Sequence, residues 1–212
     1  MSAPALPALA VMQCWLHIGW ALVLAGGAAG LLARLPVPRW VRLSVPAALG
    51  LWALWPGELS AAYGLGLAFQ APSGVLALLS AWWGWTALRK APAAGVTAHG
   101  ARAFRGETAL VLAGIVGGWV LLLDTFAQLP WSVYPLGFGP AALAVVLAMA
   151  LAPLLQAGAM RRGTAWVVPA ALLLFAVFRL PSGNLWDAVL DPWLWLVLHI
   201  VAVRGWVRRK GA

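Results

Sequence analysis

Two histidines and one cysteine stand inside long apolar runs, where polar side chains are costly unless they find partners. Cys14 and His17 occur in MQCWLHIGW at residues 12–20, and His199 occurs in WLWLVLHIVAV. Cys14 precedes His17 by three residues, so the two side chains share one side of a helix. Imidazole and thiolate are ligands that soft and borderline metals prefer. The three side chains are therefore candidate ligand-binding residues.

The two histidines are predicted to lie at similar depths. His17 stands about nine residues into its helix and His199 about eleven, which places both roughly 13 to 17 Å from the same side. The helix face of His17 continues through Ala21, Ala25 and Ala28, small residues that are typical of helix–helix contacts. We expect both imidazoles and Cys14 to face the bundle interior and to border one cavity.

Three interpretations of these histidines remain open. Each ring could donate to a backbone carbonyl or a nearby hydroxyl, which would make it a satisfied core residue. The rings could instead line a polar pocket for a small-molecule ligand or a proton. They could also ligate a haem b, or hold a metal ion with Cys14 as a third ligand. His99, in a basic connection, is expected to be solvated.

A second group of polar side chains is predicted at one mouth of the bundle. Asp124 and Gln128 lie on adjoining faces at the end of a predicted helix, which Pro130 terminates. Asp191 and Trp195 share the helix face of His199. With the first group they complete the candidate ligand-binding set: His17, His199, Cys14, Asp124, Gln128, Trp195 and Asp191.

Two aspartates of this mouth are predicted to repel each other. Asp187 and Asp191 are four residues apart and are placed on one helix face, where like charges are destabilising. We therefore expect Arg179 or a ligand to compensate them. The mouth is then either a solvated rim or an entrance for a cationic or hydrogen-bonding molecule.

Catalytic signatures are missing from the sequence. It contains neither H-E-x-x-H nor G-x-S-x-G, nor a glycine-rich phosphate loop with a lysine. Cys14 is the only cysteine, so neither an intramolecular disulfide nor a dithiol redox pair can form. These absences favour a protein that is not an enzyme, and no catalytic residue is assigned.

The composition predicts an all-α integral membrane protein. Hydrophobic residues make up 64% of the 212 and charged residues only 9%, whereas a soluble domain is about 25% charged. The apolar residues form runs of roughly 15 to 25, as transmembrane helices require. Seven helices are predicted, at 8–32, 41–56, 62–88, 107–128, 138–156, 164–179 and 188–207.

The basic residues predict the topology. Of the 14 lysines and arginines, all but Arg179 fall on one side of the predicted spans. They are Arg34, Arg39, Arg42, Arg89, Lys90, Arg102, Arg105, Arg161, Arg162, Arg204, Arg208, Arg209 and Lys210. Because such residues accumulate in cytoplasmic loops, we expect the N-terminus outside and the C-terminus in the cytoplasm. Their clustering between apolar runs also argues against a nucleic-acid partner, despite the net charge of +9.

Short sequence matches suggest an internal duplication within a single domain. VPAAL occurs at 45–49 and again at 168–172. If the match is meaningful, residues 8–90 and 138–210 form a 3-1-3 parallel repeat with 107–128 as the connector helix. Two G-x-x-x-G pairs, Gly26 with Gly30 and Gly114 with Gly118, predict close helix packing.

The 15 tryptophans of the chain are interpreted mainly as an interfacial belt. Those near predicted span ends are Trp15, Trp20, Trp40, Trp55, Trp131, Trp186 and Trp193.

These features favour a multi-pass protein of a bacterial-type inner (plasma) membrane that handles a small molecule or a metal complex. It would be a transporter or the membrane subunit of a transport system, in contact with the lipid bilayer, a small-molecule ligand, and a membrane or periplasmic protein. One alternative is a redox subunit that binds a haem or metal cofactor through His17 and His199. Another is an accessory scaffold subunit of a membrane complex.

Overall fold

The computed structural model describes residues 6–89, 108–151 and 163–210, which form helices and no strand. This confirms the all-α class for the described residues. The α-helices are α1 (Leu9–Leu32), α2 (Arg39–Leu54), α3 (Ala61–Phe69), α4 (Gly74–Arg89), α5 (Thr108–Thr125), α6 (Pro140–Leu151), α7 (Val167–Phe178), α8 (Leu185–Val189) and α9 (Pro192–Lys210). Short 3-10 helices occupy Tyr134–Phe138 and Gly163–Trp166.

One helix in the described residues is long and apolar enough to cross a membrane. This is α1, with 24 residues and a mean hydropathy of 1.6, near the N-terminus. The other apolar helices are shorter, at 10–17 residues. The number of seven spans therefore stays a prediction.

The predicted helix at 62–88 is two helices, because residues 70–73 are not helical and form a break between them. Pro72 lacks an N–H and disfavours a helical conformation at the residue before it. Gln70 leaves α3 with a φ of 61°. Ser73 then begins α4, since its Oγ accepts a hydrogen bond from the backbone N–H of Leu76 at 3.1 Å.

The predicted helix at 188–207 is also divided, into α8 and α9. Pro192 is the first residue of α9, a position where its fixed φ is favourable. Asp191 precedes it as the N-cap, with Oδ1 accepting from the N–H of Leu194 at 2.8 Å. Asp187 belongs to α8. The placement of Asp187 and Asp191 on one helix face was therefore wrong.

Glycines bring α1 and α4 into close contact, as the first G-x-x-x-G pair predicts. A β-carbon added at Gly26 would lie 2.1 Å from the Ser80 carbonyl oxygen, and one at Gly30 would lie 2.3 Å from the Trp83 ring. Because both residue numbers rise together along this contact, α1 and α4 run parallel.

The second G-x-x-x-G pair lies where α5 contacts α9, so its prediction of close helix packing is also confirmed. A β-carbon at Gly114 would lie 2.5 Å from Cδ1 of Leu198, and one at Gly118 would lie 2.2 Å from Cδ1 of Trp195. The residue numbers run in opposite directions along this contact, so α5 and α9 are antiparallel.

These directions separate the described charges by sign. The C-terminal ends of α1 and α4 share one end of the bundle, and Arg34 lies there over the Trp83 ring at 5.1 Å. We call this the basic end; it carries Arg34, Arg39, Arg42, Arg89 and Arg204. The opposite, acidic end contains the N-termini of α1, α4 and α9, and it carries Glu58, Asp124, Asp187, Asp191 and Arg179.

Several sequence features lie outside the described residues. They are Lys90, His99, Arg102, Arg105, Glu107, Arg161, Arg162 and residues 152–156 of the fifth predicted helix. The two VPAAL segments fall in α2 and α7. The internal duplication and its two repeat boundaries stay predictions.

Candidate functional site

An open cleft of about 490 Å³ lies at the acidic end, between α1, the α2–α3 connection and α3. Its lining residues are Ala10, Gln13, Cys14, Leu16, His17, Gly57 and Tyr63. The stretch that carries Cys14 and His17 therefore faces a cavity. None of the lining residues is an acid, a lysine or an arginine, so a ligand would meet an amide, a thiol, an imidazole and a phenol beside apolar surface.

His17 is oriented by the end of α2. The carbonyl of Ala53 belongs to the last turn of that helix, where carbonyls lack a partner within the helix. It lies 2.8 Å from His17 Nδ1 and also accepts from Ser60 Oγ at 3.0 Å. Since a carbonyl can only accept, Nδ1 of His17 carries the proton. The neutral ring then keeps Nε2 as an acceptor.

Cys14 and His17 line the same cleft but differ in their surroundings. The His17 ring is partly buried, while Cys14 is exposed. The prediction that both side chains face the interior was therefore right for His17 and wrong for Cys14. On the same helix, Ala21 is buried in a core cluster with Ala53 and Ala62, as the small-residue face predicts.

Two tryptophans of α1 hold the break between α3 and α4. Trp15 Nε1 donates to the Pro72 carbonyl at 3.0 Å, and Trp20 Nε1 donates to the Gln70 carbonyl at 2.9 Å. The break releases these carbonyls from helical pairing, and the indoles replace the missing donors. Trp15 and Trp20 are buried, so their assignment to an interfacial belt was wrong; Trp40, Trp55 and Trp131 are exposed.

Asp191 connects the two helix breaks. Its Oδ2 accepts from the backbone N–H of Ser73 at 2.8 Å, while its Oδ1 caps α9. Ser73 is fully buried and caps α4. One carboxylate thus serves the N-termini of two helices, which favour negative charge. Asp191 is therefore a structural link between α4 and α9 in this structure.

Asp124 organises the connection that follows α5. Its Oδ2 accepts from the backbone N–H groups of Val133 and Tyr134 at 3.0 and 2.7 Å, and from Ser132 Oγ at 3.2 Å. Two backbone amides and a hydroxyl therefore satisfy Asp124. Gln128 is exposed, and its Nε2 donates to the nearby Phe126 carbonyl at 2.9 Å.

Asp187 is satisfied by hydroxyl groups. It accepts hydrogen bonds from Ser182 Oγ and, at 2.8 Å, from Tyr134 Oη. Burial, with the hydrogen bond and charge of Asp187, raises the pKa of Tyr134 to about 12. Arg179 instead lies over the Phe175 ring at 5.3 Å. Hydroxyl groups, and not Arg179, therefore pair with Asp187; compensation by a ligand stays a prediction.

His199 and Trp195 form an aromatic cluster with Trp119 between α5 and α9. The Trp195 and His199 rings are 4.7 Å apart, and Trp119 stands edge-on to Trp195 at 5.0 Å. His199 Nδ1 lies 2.8 Å from the Trp195 carbonyl one turn earlier. Trp195 Nε1 donates to the Ile115 carbonyl at 3.1 Å. Both are contacts within the helix pair.

The structure places His17 and His199 in separate surroundings. α1 packs against α2, α3 and α4, whereas α9 packs mainly against α5. His199 is not one of the residues that line the cleft of His17, and Nδ1 of each ring is paired with a backbone carbonyl, as in the first of the three interpretations. Among the described residues, no three His, Cys, Asp or Glu side chains lie close enough to hold a metal ion.

Sequence reasoning missed three residues that shape these sites. Ser73 links the breaks, Ser60 shares the Ala53 carbonyl, and Trp119 completes the aromatic cluster. The APSG segment, at residues 71–74, contained a helix-start signal at Ser73, because a serine between proline and glycine is a favourable N-cap. Ser60 also had a local signal, because it is the N-cap of α3 and its Oγ accepts from the Ala62 N–H at 3.0 Å. Trp119 is positioned by tertiary packing.

Comparison of the chain with protein-family models, with curated proteins and with solved structures found no match.

Proposed function

We propose that the chain is a multi-pass inner-membrane protein that binds a small molecule or a metal complex in the Cys14–His17 cleft. It acts as a transporter or as the membrane subunit of a transport system. The observation that carries this proposal is the composition of the cleft. Four side chains able to bind a ligand line it in an otherwise apolar chain, namely Gln13, Cys14, His17 and Tyr63. The helix α1 that supplies three of them also contacts the 70–73 break through Trp15 and Trp20.

The apolar surface of the helices supports a location in the membrane. Side chains such as Leu51, Leu67 and Leu173 are 67%, 75% and 66% exposed, and many other large apolar side chains are similarly open. Soluble monomers rarely expose contiguous apolar patches larger than a few hundred Å². Lipid covers this surface in the proposed arrangement, and the shorter helices cross the bilayer with α1.

The charge separation supports the proposed topology. Among the residues whose side chains are described, the basic end carries five arginines and the acidic end carries Arg179 alone. Because positive residues accumulate in the cytoplasm, we place the basic end inside and the cleft outside. The chain then alternates across the membrane, with α3–α4 and α8–α9 each forming one interrupted span.

Interrupted helices support a role in transport. Discontinuous helices are a recurring feature of transporter binding sites, where their free backbone groups meet the substrate. In this protein the free backbone groups of the 70–73 break have side-chain partners. The carbonyls accept from Trp15 and Trp20, and the Ser73 N–H donates to Asp191. The cleft lies beside this break on α1, so movement of α1 would change both the cleft and the break.

The proposed topology is tested with reporter fusions in bacterial cells. A reporter enzyme that works only in the periplasm should be active after Trp131 and silent after Gly211. An active fusion after Gly211 would exclude the cytoplasmic C-terminus.

The cleft is tested through Cys14, the only cysteine of the chain. A membrane-impermeant maleimide added to intact cells with a permeabilised outer membrane should label the wild-type protein and not a Cys14→Ser variant. Labelling that requires disruption of the inner membrane would place the cleft on the cytoplasmic side and contradict the proposed topology.

Ligand binding is tested by screening small solutes and Cu(I) against the thermal unfolding of the purified chain. Cu(I) represents the metal branch, because thiolate and imidazole are its favoured ligands. A true ligand should slow maleimide labelling of Cys14, and His17→Ala should weaken its binding while Gln128→Ala does not. Each ligand found in the screen is then tested for transport across the membrane of liposomes that contain the protein. Binding without flux would favour the membrane-subunit role, and no binding would favour a scaffold.

A further inference from the structure

A second concavity lies on the other side of the bundle, between α4 and α7. This groove has a volume of about 530 Å³ and is lined by Leu78, Ala81, Trp82, Trp85, Trp166, Val167 and Ala170. The lining is almost entirely apolar, and the described helices do not cover it. The groove extends toward the basic end, because Trp85 stands near the C-terminus of α4.

Three tryptophans give this groove its chemistry. Trp82, Trp85 and Trp166 remain 39%, 52% and 49% exposed. Trp82 and Trp85 are three residues apart on α4 and therefore share one helix face. Indole rings that are half buried beside apolar side chains are well suited to the region where acyl chains meet headgroups.

A cation lies beside the groove at its basic end. The Arg89 guanidinium lies 4.0 Å from the centre of the Trp85 ring, and this contact holds the charge beside the groove. All four carboxylates of the described residues lie at the acidic end. The groove therefore combines an apolar wall with a positive charge at one end that no carboxylate of the described residues neutralises.

The geometry points to a binding site for one anionic phospholipid. Its acyl chain lies along Trp82, Trp85 and Trp166, and its phosphate pairs with Arg89. A guanidinium binds phosphate oxygens through two parallel N–H donors, and the stacked ring of Trp85 fixes its orientation. This inference rests on the proposed membrane location and is independent of the Cys14–His17 cleft.

Native mass spectrometry of the full chain in mild detergent tests this site. Phosphatidylglycerol and phosphatidylethanolamine with identical acyl chains are titrated separately. We expect phosphatidylglycerol to bind more tightly, and Arg89→Gln to weaken its binding about fivefold, since one basic residue near anionic lipid contributes about that factor. Arg204→Gln is the matched control, because Arg204 lies at the same end on α9, and it should leave the affinity unchanged.

Two further variants separate the contributions to binding. Ala170→Leu fills the groove and should weaken both lipids, while Cys14→Ser should change neither. Equal affinity for the two lipids, equal loss in Arg89→Gln and Arg204→Gln, or displacement of phosphatidylglycerol by inorganic phosphate would overturn the lipid site. Fractionation of the chain away from membranes would overturn the proposed function itself, and this is measured first.

Discussion

Asp191 Oδ2 accepts a hydrogen bond from the backbone N–H of Ser73 at 2.8 Å, across 118 residues of sequence. Each residue is the N-cap of a helix that follows a break, Ser73 of α4 and Asp191 of α9. The contact therefore joins α4 and α9 at their N-termini, where backbone N–H groups have no partner within the helix. Trp15 and Trp20 reinforce the same junction from α1.

Asp191→Ala should destabilise this junction. The variant loses the cap of α9 and leaves the Ser73 N–H, on a fully buried residue, without its acceptor. We expect the free energy of unfolding in detergent to fall by roughly 2–4 kcal/mol. Asp191→Asn keeps one acceptor oxygen, so it can satisfy one of the two amides and should lose less. The exposed Glu58 provides the control, since Glu58→Ala should change stability by about 0.5 kcal/mol or less.

Neighbouring glycines test the helix contacts with matched variants. A β-carbon at Gly26 would meet the backbone of α4, while one at Gly27 would have no atom within 4 Å. Gly26→Ala should therefore cost about 1–3 kcal/mol, whereas Gly27→Ala should be neutral or stabilise α1 by up to about 1 kcal/mol. Equal tolerance of both substitutions in thermal unfolding would contradict the close approach of α1 and α4.

The same comparison applies to α5 and α9. A β-carbon at Gly118 would lie within 2.2 Å of the Trp195 ring, while Gly117 has open space. Gly118→Ala should displace Trp195 and change its fluorescence, and Gly117→Ala should not. A variant of Gly118 with unchanged emission and stability would show that the α5–α9 contact is looser than described.

Local signals account for the parts of the fold that the sequence predicted. Apolar runs identified the all-α class, and G-x-x-x-G spacing identified faces of α1 and α5 that pack closely against another helix, because both signals depend on residues close in sequence. The partner helices, α4 and α9, came from the structure. Pro72 and Pro192 also signalled the two helix breaks. The predicted helices nevertheless crossed both prolines, because long apolar runs lie close to each of them.

The candidate sites were harder to predict, because they depend on which helices are neighbours. Cys14 and His17 share a cleft since their spacing fixes a common side of one helix. Whether His199 lies near His17 depends on tertiary packing, and α9 packs mainly against α5. Single residues also change role with a helix boundary. Asp191 was expected to line a mouth and instead caps α9 once Pro192 begins that helix.

The indoles of α1 should be needed for their N–H groups as well as for their volume. Trp15→Phe and Trp20→Phe keep an aromatic ring but leave the carbonyls of Pro72 and Gln70 without these donors. Each should lower the free energy of unfolding by about 1–3 kcal/mol. Trp40→Phe, at an exposed position, is the control for the general effect of losing an indole. Similar losses at all three positions would contradict the proposed support of the break.

Tyr134 should lose its proton at unusually high pH because of its burial and of Asp187. Burial is the largest cause of its raised pKa, and Asp187 adds a hydrogen bond and a negative charge that disfavour the phenolate. In a Tyr63→Phe background Tyr134 is the only tyrosine, so tyrosinate absorbance should give a midpoint of about 12. Asp187→Asn should lower the pKa, which should stay above 10 since burial remains.

This shift also predicts a direction for alkaline stability. The folded-state pKa lies above the ordinary tyrosine value of about 10, so the folded protein holds the proton more tightly than the unfolded chain. The stabilisation is complete below pH 10 and is lost as the pH rises from about 10 toward 12. Tyr134→Phe should remove this part of the pH dependence, measured by unfolding at fixed pH values between 8 and 12. An alkaline slope identical to that of the wild-type chain would show that Tyr134 keeps an ordinary pKa and that its contact with Asp187 does not form.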